Sequence, residues 1–378
     1  MPKRRKKQRI NIIIFIISIL IVFSINKLID GIQYVSVDHS LYFEKSHTID
    51  YDKDNNSIVC PFGENLIVYE KGKFKIYDQE GQVKCDVVEE GKKINIQSGK
   101  DLSFISSEEV GSITARETLG NYVWSFETQA VVKDFKCNER GDIAVYLEEK
   151  DKTANVVVLD NRGKQTGKIT IKKGNLIDLA ISEDGQMIGL SVLNIENDKL
   201  ISNVMMYSPK GRLLGGNTYK SEVVPFIFFT KDNRLISIED THITSFEKEN
   251  GVLWSKKIDG NLNRVAWNKD GLIIANIMQQ KKNILDTKNQ NSLLLIDSTG
   301  KESMKNYIKG DIIGMSINKE VAVAFTNRTL YFVSIGDNTL REKKINNDIQ
   351  GVYLLEGNKL GLVLKDKIEI INLKDRKE

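Results

Sequence analysis

Proline is scarce in this chain, four among 378 residues, and that scarcity argues against Pro-rich linkers and extended disorder. Histidine is scarcer still: only His39, His47 and His242 occur. A zinc site built on imidazoles needs two or three brought together, and none of the three has a carboxylate or cysteine at ligand spacing. They read as polar loop or edge residues, and no metal site is assigned. The sequence also lacks a G-x-S-x-G nucleophile motif and a glycine-rich phosphate loop, so no catalytic or cofactor-binding residue is assigned either. A basic surface is missing from most of the chain. Six of its 55 lysines and arginines lie within the first nine positions, which leaves 49 against 51 acidic residues in the remainder. Phosphate binding relies on concentrated positive charge, so nucleic acid is excluded as a partner.

What is present begins with that basic cluster, Lys3 to Arg9, followed at once by an apolar run from Ile10 to Ile29. At ~1.5 Å per residue the run spans roughly 30 Å, about one hydrocarbon core. Lys27 lies near its end, where a long stem can reach the interface. A cleaved signal would need small residues at a processing site, and Ser24 to Ile29 offers none. The expectation is a cytoplasmic basic tail at 1–9, a single transmembrane helix at 10–29, and a C-terminal domain outside the cytoplasm at the plasma membrane, by the excess of positive charge before the helix.

Beyond the anchor no stretch sustains a 3.6-residue apolar period for more than three turns, and short β-branched runs dominate. A turn followed by an apolar strand recurs at Asn138–Val145, Ser182–Gly189, Thr230–Ser237 and Asn268–Ala275, with weaker copies near Gly63, Ser98, Asn318 and Glu356. The spacing of about 35 to 50 residues is that of a four-stranded propeller blade. In phase with it runs a second hairpin with a turn glycine, as in Val157–Gly163, Met206–Gly211 and Leu295–Gly300. Two hairpins per repeat make four strands. The fold predicted is an all-β propeller over 57–378 with eight blades, at 57–90, 91–130, 131–173, 174–221, 222–260, 261–309, 310–346 and 347–373; seven is the alternative. The last repeat shows only three strands. An open edge invites aggregation, so a strand within 30–56, either Gln33–Phe43 or Ser46–Tyr51, is expected to close the ring.

Two repeats, Ala115–Phe126 and Phe246–Lys257, resemble the tryptophan-docking repeats of PQQ-like propellers, in which a turn glycine precedes a Trp that packs between blades. The chain as a whole resembles uncharacterised membrane-anchored propellers of low-GC Gram-positive bacteria, filed as a domain of unknown function with PQQ-like and WD40-like repeats. Only two repeats carry the docking Trp, namely Trp124 and Trp254; Trp267 falls on a different strand. No segment matches the calcium and cofactor site of the quinoprotein dehydrogenases, so the resemblance implies a fold and not a cofactor.

The strand assignment places Cys60 on the first strand of its blade and Cys85 on the fourth, about 14 Å apart by three strand spacings, beyond the ~7 Å limit for a disulfide. Cys137, two blades on, is also badly placed, and all three read as free thiols acting as small hydrophobes. Asp50, Asp52 and Asp54 alternate like calcium ligands, yet Asn55 and Pro61 stand where an EF-hand loop needs glycine and glutamate. A solvated turn is the better reading. Tyr69, Tyr77, Phe126, Tyr146, Tyr207, Phe228, Phe229 and Tyr331 alternate with polar neighbours and suit inter-blade packing, and Val223–Phe229, apolar on both faces, suits a buried inner strand. The function expected is a non-enzymatic scaffold at the cell envelope, bound to the lipid bilayer through residues 10–29 and to an envelope protein or cell-wall component. The alternative is an extracytoplasmic hydrolase or lyase with acidic groups converging on the central channel.

Overall fold

The computed structural model describes residues 41–54, 56–89, 91–108, 111–248, 251–279 and 290–375. The candidate membrane span 10–29, the basic tail and His39 lie outside the described residues. Among the described residues 32 strands and no helix are present, and the strands form eight four-stranded antiparallel sheets. Each sheet is one blade: 58–88, 94–127, 131–171, 175–220, 226–257, 261–308, 314–344, and 351–375 completed by the first strand of the chain. The ring has eight blades and not seven.

That first strand, β1 (Leu41–Asp50), pairs antiparallel with Lys367–Asp375 and becomes the outer strand of blade 8. It lies within the expected 30–56 and overlaps both candidate stretches. One continuous strand joins the end of the first candidate stretch to the start of the second, with a bulge at Ser46 between the pairs Lys45↔Ile371 and His47↔Ile370. Closing the last blade with the first strand gives blade 8 its fourth strand and ties the two ends of the ring together.

Apolar side chains are buried between blades rather than inside one central core. Among the described residues eight clusters occur, one per junction; that of blades 2 and 3, for example, holds Phe104, Ile113, Phe135 and Val157, and that of blades 8 and 1 holds Ile49, Leu66, Val363 and Ile368. The eight aromatics assigned to inter-blade packing all belong to these clusters, Tyr69 between blades 1 and 2 and Tyr331 between 6 and 7 among them. Ile227, Phe228 and Phe229 of the Val223–Phe229 run are buried on the innermost strand of blade 5, while Phe226 is exposed.

The outer strands share a device that the sequence period does not announce. In blades 1 to 6 the outermost strand carries a one-residue bulge close to its start, and in blade 8 midway along β1, and the residue after the bulge faces the next blade. In blades 2 and 5 that residue is Trp124 or Trp254. Each indole lies over the turn glycine of the following blade, Gly163 or Gly300, and a Cβ there would come within 2.6 Å of the ring. Both glycines also have positive φ, at 77° and 82°, so no other residue satisfies backbone and contact together. Each indole N–H donates to the carbonyl two residues before the glycine, Asn161 at 2.9 Å and Ser298 at 3.2 Å. In register, the same position is Cys85 in blade 1, Gly167 in blade 3, Gly215 in blade 4, Met304 in blade 6 and His47 in blade 8. Cys85 packs on Gly120 and His47 on Gly81, as the indoles do on their glycines.

Candidate functional site

The ring has two faces. One carries the turns joining the first strand of each blade to its second and the third to its fourth, and β1 begins there. The other carries the second-to-third turns and the linkers between blades. On the turn face the second residue of each first-strand turn is charged in blades 2 to 7: Lys100, Glu139, Glu183, Lys231, Lys269 and Lys319. Lys269 of blade 6 reaches Glu139 of blade 3 at 2.9 Å and Glu183 of blade 4 at 2.6 Å. These ion pairs join blades that are not neighbours, so they span the mouth.

Deeper in, the inner strands are tied to one another by polar side chains. Asn95 donates to Asp134 at 2.9 Å, the N–H of Ile227 donates to Asp178 at 2.8 Å, Arg264 donates to the carbonyl of Ile313 at 3.2 Å, and the N–H of Leu354 donates to Ser316 at 3.3 Å. Each of these bonds crosses from one blade to the next. Lys136 stands between Asp134 and Asp178, at 3.6 and 3.8 Å.

Asp178 is buried, and burial raises its carboxyl to about 6 although Lys136 and the N–H groups of Ile227 and Leu179 favour the charged form. The folded chain therefore holds this proton up to about pH 6, whereas the unfolded chain releases it near pH 4. Between those values the folded state binds more protons, so this group's contribution to stability is greatest below about pH 4 and declines as pH rises to 6. The decline is on the order of 1–3 kcal/mol, at about 1.4 kcal/mol per unit. Asp178→Asn keeps an acceptor for Ile227 and is expected to flatten urea midpoints between pH 4 and 7; equal slopes in the two proteins would show that Asp178 is not the cause.

The sequence-predicted candidates fall in different places. Cys60 and Cys137 are on innermost strands and are part-exposed, Cys85 is buried on an outer strand, and all three thiols are free. Burial pushes Cys60 and Cys137 up to about 12, and Cys137 adds to the rise at Cys60. Thiols so reluctant to ionise are poor nucleophiles. Asp54 closes its own turn, accepting from Ser57 and from the N–H groups of Asn56 and Lys71, and Asp52 pairs with Lys71. Asp50 ends β1. These roles are those of a turn.

His242 is the exception that spacing could not find. It comes together with Glu222, from the linker between blades 4 and 5, and Glu239, from the second-to-third turn of blade 5; their ligand atoms lie within 4.8 Å of one another. Glu239 is fully buried, and burial pushes its carboxyl up to about 7 against hydrogen bonds from Ser237, Tyr219 and Thr244, with Glu222 adding to the rise. Two carboxylates and an imidazole are a donor set that a divalent metal accepts. Burial and the neighbouring Glu222 also account for Glu239 as a protonated acid within the fold, with no ion required. No run of neighbouring residues links the three positions.

Solved structures share the fold at low identity. BamB from Moraxella catarrhalis matches with a TM-score of 0.57 and 10% identity over 88% of this chain and 100% of that one. Saccharomyces cerevisiae Sqt1 matches at 0.59 and 9% over 88% and 100%. Chaetomium thermophilum Sqt1, solved bound to the N-terminus of the ribosomal protein L10, matches at 0.57 and 12% over 86% and 99%. No curated protein is similar in sequence. A model of a family of unknown function (DUF5711) matches residues 38–373, from just ahead of β1 to the last strand of blade 8, and the chain belongs to that family.

Proposed function

We propose that this protein is a membrane-anchored, extracytoplasmic propeller that serves as a protein-binding scaffold at the cell envelope. One observation carries the reading: charged groups of the inner strands and channel mouth are spent on one another, Lys269 on Glu139 and Glu183 and Lys136 on Asp178 across blades, and Lys136 also on Asp134 of its own strand. That arrangement builds a rigid frame and leaves the faces and junctions of the ring for binding. It favours the scaffold over an enzyme working in the channel, whose carboxylates would have to be released from these partners. Sqt1, a propeller of similar fold, has been solved with a bound protein segment. The anchor and the outward orientation are supported by the basic cluster and apolar run at the N-terminus. Since β1 begins on the turn face only twelve residues after Ile29, that face lies nearer the bilayer in this reading.

Crosslinking of the full chain in intact cells, followed by mass spectrometry, is expected to recover envelope proteins repeatedly, and protease added to intact cells is expected to cut the exposed loops. Crosslinks only to cytoplasmic proteins would overturn the location, and recovery of no protein alongside measurable turnover of a substrate would overturn the scaffold.

A further inference from the structure

Three donors of mixed chemistry converge where the linker between blades 4 and 5 meets the second-to-third turn of blade 5. Glu222 comes from the linker, Glu239 follows the second strand of blade 5, and His242 opens the third. Their ligand atoms lie within 4.8 Å of one another.

Glu239 is the fixed member. It is fully buried, and both of its oxygens are engaged: Ser237 donates to Oε1 and Thr244 donates to Oε2 at 3.3 Å. These donors are hydroxyls of its own blade. Ligating carboxylates are held in this way by an outer layer of hydrogen bonds. His242 is oriented too, because the Thr241 hydroxyl engages Nδ1 at 2.8 Å and leaves Nε2 as the nitrogen without a partner among the described residues. The carboxylate of Glu222 has neither a hydrogen bond nor an ion pair among the described residues; Ser202 donates only to its backbone carbonyl, at 2.8 Å. No lysine or arginine pairs with either glutamate among those residues.

A proton suffices for Glu239 taken alone. It leaves unexplained why a second, unengaged carboxylate and an oriented imidazole stand beside it, with no basic side chain to balance the pair. One cation accounts for all three. Zinc holds nitrogen and oxygen donors at about 2.0–2.2 Å, which sets tetrahedral ligands roughly 3.4 Å apart. Glu222 and His242 are both part-exposed, so rotation of these two side chains toward Glu239 closes the remaining distance. The imidazole argues against calcium and magnesium, which take oxygen ligands, and for a transition-metal dication.

We propose that Glu222, Glu239 and His242 form a binding site for a divalent transition metal of the zinc and manganese class. The ion ties the linker leaving blade 4 to the turn of blade 5, and three ligands from the chain leave a further position to water. The site does not depend on the scaffold reading or on which side of a membrane the ring lies.

The test is calorimetric titration of the tag-free full chain in detergent, stripped with EDTA, with zinc, manganese and calcium in turn. One zinc per chain is expected, bound more tightly than manganese in keeping with the usual order of divalent affinities, and calcium is expected to bind at least tenfold more weakly than either. Glu222→Gln and His242→Ala alter part-exposed side chains, so both are expected to fold and to melt like the metal-free parent. Each is expected to weaken zinc at least tenfold and to lose the rise in melting temperature that zinc gives the parent. Zinc affinity unchanged in both variants would place the ion elsewhere on the chain and overturn the site. Calcium within tenfold of zinc would overturn the role of the imidazole. If neither zinc nor EDTA moves the parent's melt and no heat of binding is seen, Glu239 carries only its proton and the proposal fails.

Discussion

A chain that begins at Leu41 is expected to fold into the complete ring, and one that begins at Tyr51 is expected to aggregate or to unfold without a cooperative transition. The ten residues removed are β1, which supplies the outer strand of blade 8. Without it the strand Lys367–Asp375 presents a free edge, a ready template for pairing with other chains. Ile49 also leaves the cluster it forms with Val59, Leu66, Ile368 and Ile370 between blades 8 and 1, a loss of about 2–3 kcal/mol for that side chain alone. His47 ceases to cover Gly81. A domain is stable by only about 5–15 kcal/mol, so losing nine paired residues and a junction contact together is expected to exceed it. Size-exclusion chromatography and thermal circular dichroism of the two chains decide the matter, and addition of a synthetic peptide spanning 41–51 is expected to restore part of the transition in the shorter chain. Matching melts for the two chains would mean that the ring does not depend on this closure.

The second large effect is expected at the docking tryptophans. Trp124→Ala removes a buried ring from the cluster of blades 2 and 3 and breaks its bond to the carbonyl of Asn161, for a loss of about 3–5 kcal/mol. Trp124→Phe keeps most of the packing and loses chiefly the N–H donor, a cost of about 1 kcal/mol. Trp254 is less buried, so Trp254→Ala belongs at the lower end of the same range. The two indoles serve different junctions and share no partner, so the double variant is expected to show the sum of the single losses. Urea unfolding of the four proteins measures this. An Ala variant within about 0.5 kcal/mol of the parent would show that the junction repacks around the gap.

The docking position illustrates how far the sequence could be read. Trp124 and Trp254 were legible because a large ring near a turn glycine is a distinctive pattern. Cys85, His47 and Met304 hold the same position in other blades, and nothing in their identity says so. Their place is set by a bulge in the outer strand, which shifts the register by one residue and depends on pairing with the third strand. Cys85 was recognisable as a buried small hydrophobe but not as a stand-in for an indole against Gly120. His242 was legible only as a polar residue at an edge, because Glu222 and Glu239 reach it from a linker and a turn that the ring geometry brings together.

The repeat, the four strands of each blade and the apolar side chains between blades follow from the amino-acid sequence alone. They depend on local physics: alternation along a strand, and turn glycines that accept positive φ. What only the tertiary structure decided are the partners across distance. Lys269 meets Glu139 and Glu183 from three and two blades away, β1 meets a strand more than 300 residues later, and Gly167 meets the carbonyl of Pro209 where its counterparts place a ring. These depend on how eight blades close into one circle. A repeat period fixes the shape of each blade, whereas closure sets which side chains of different blades face one another.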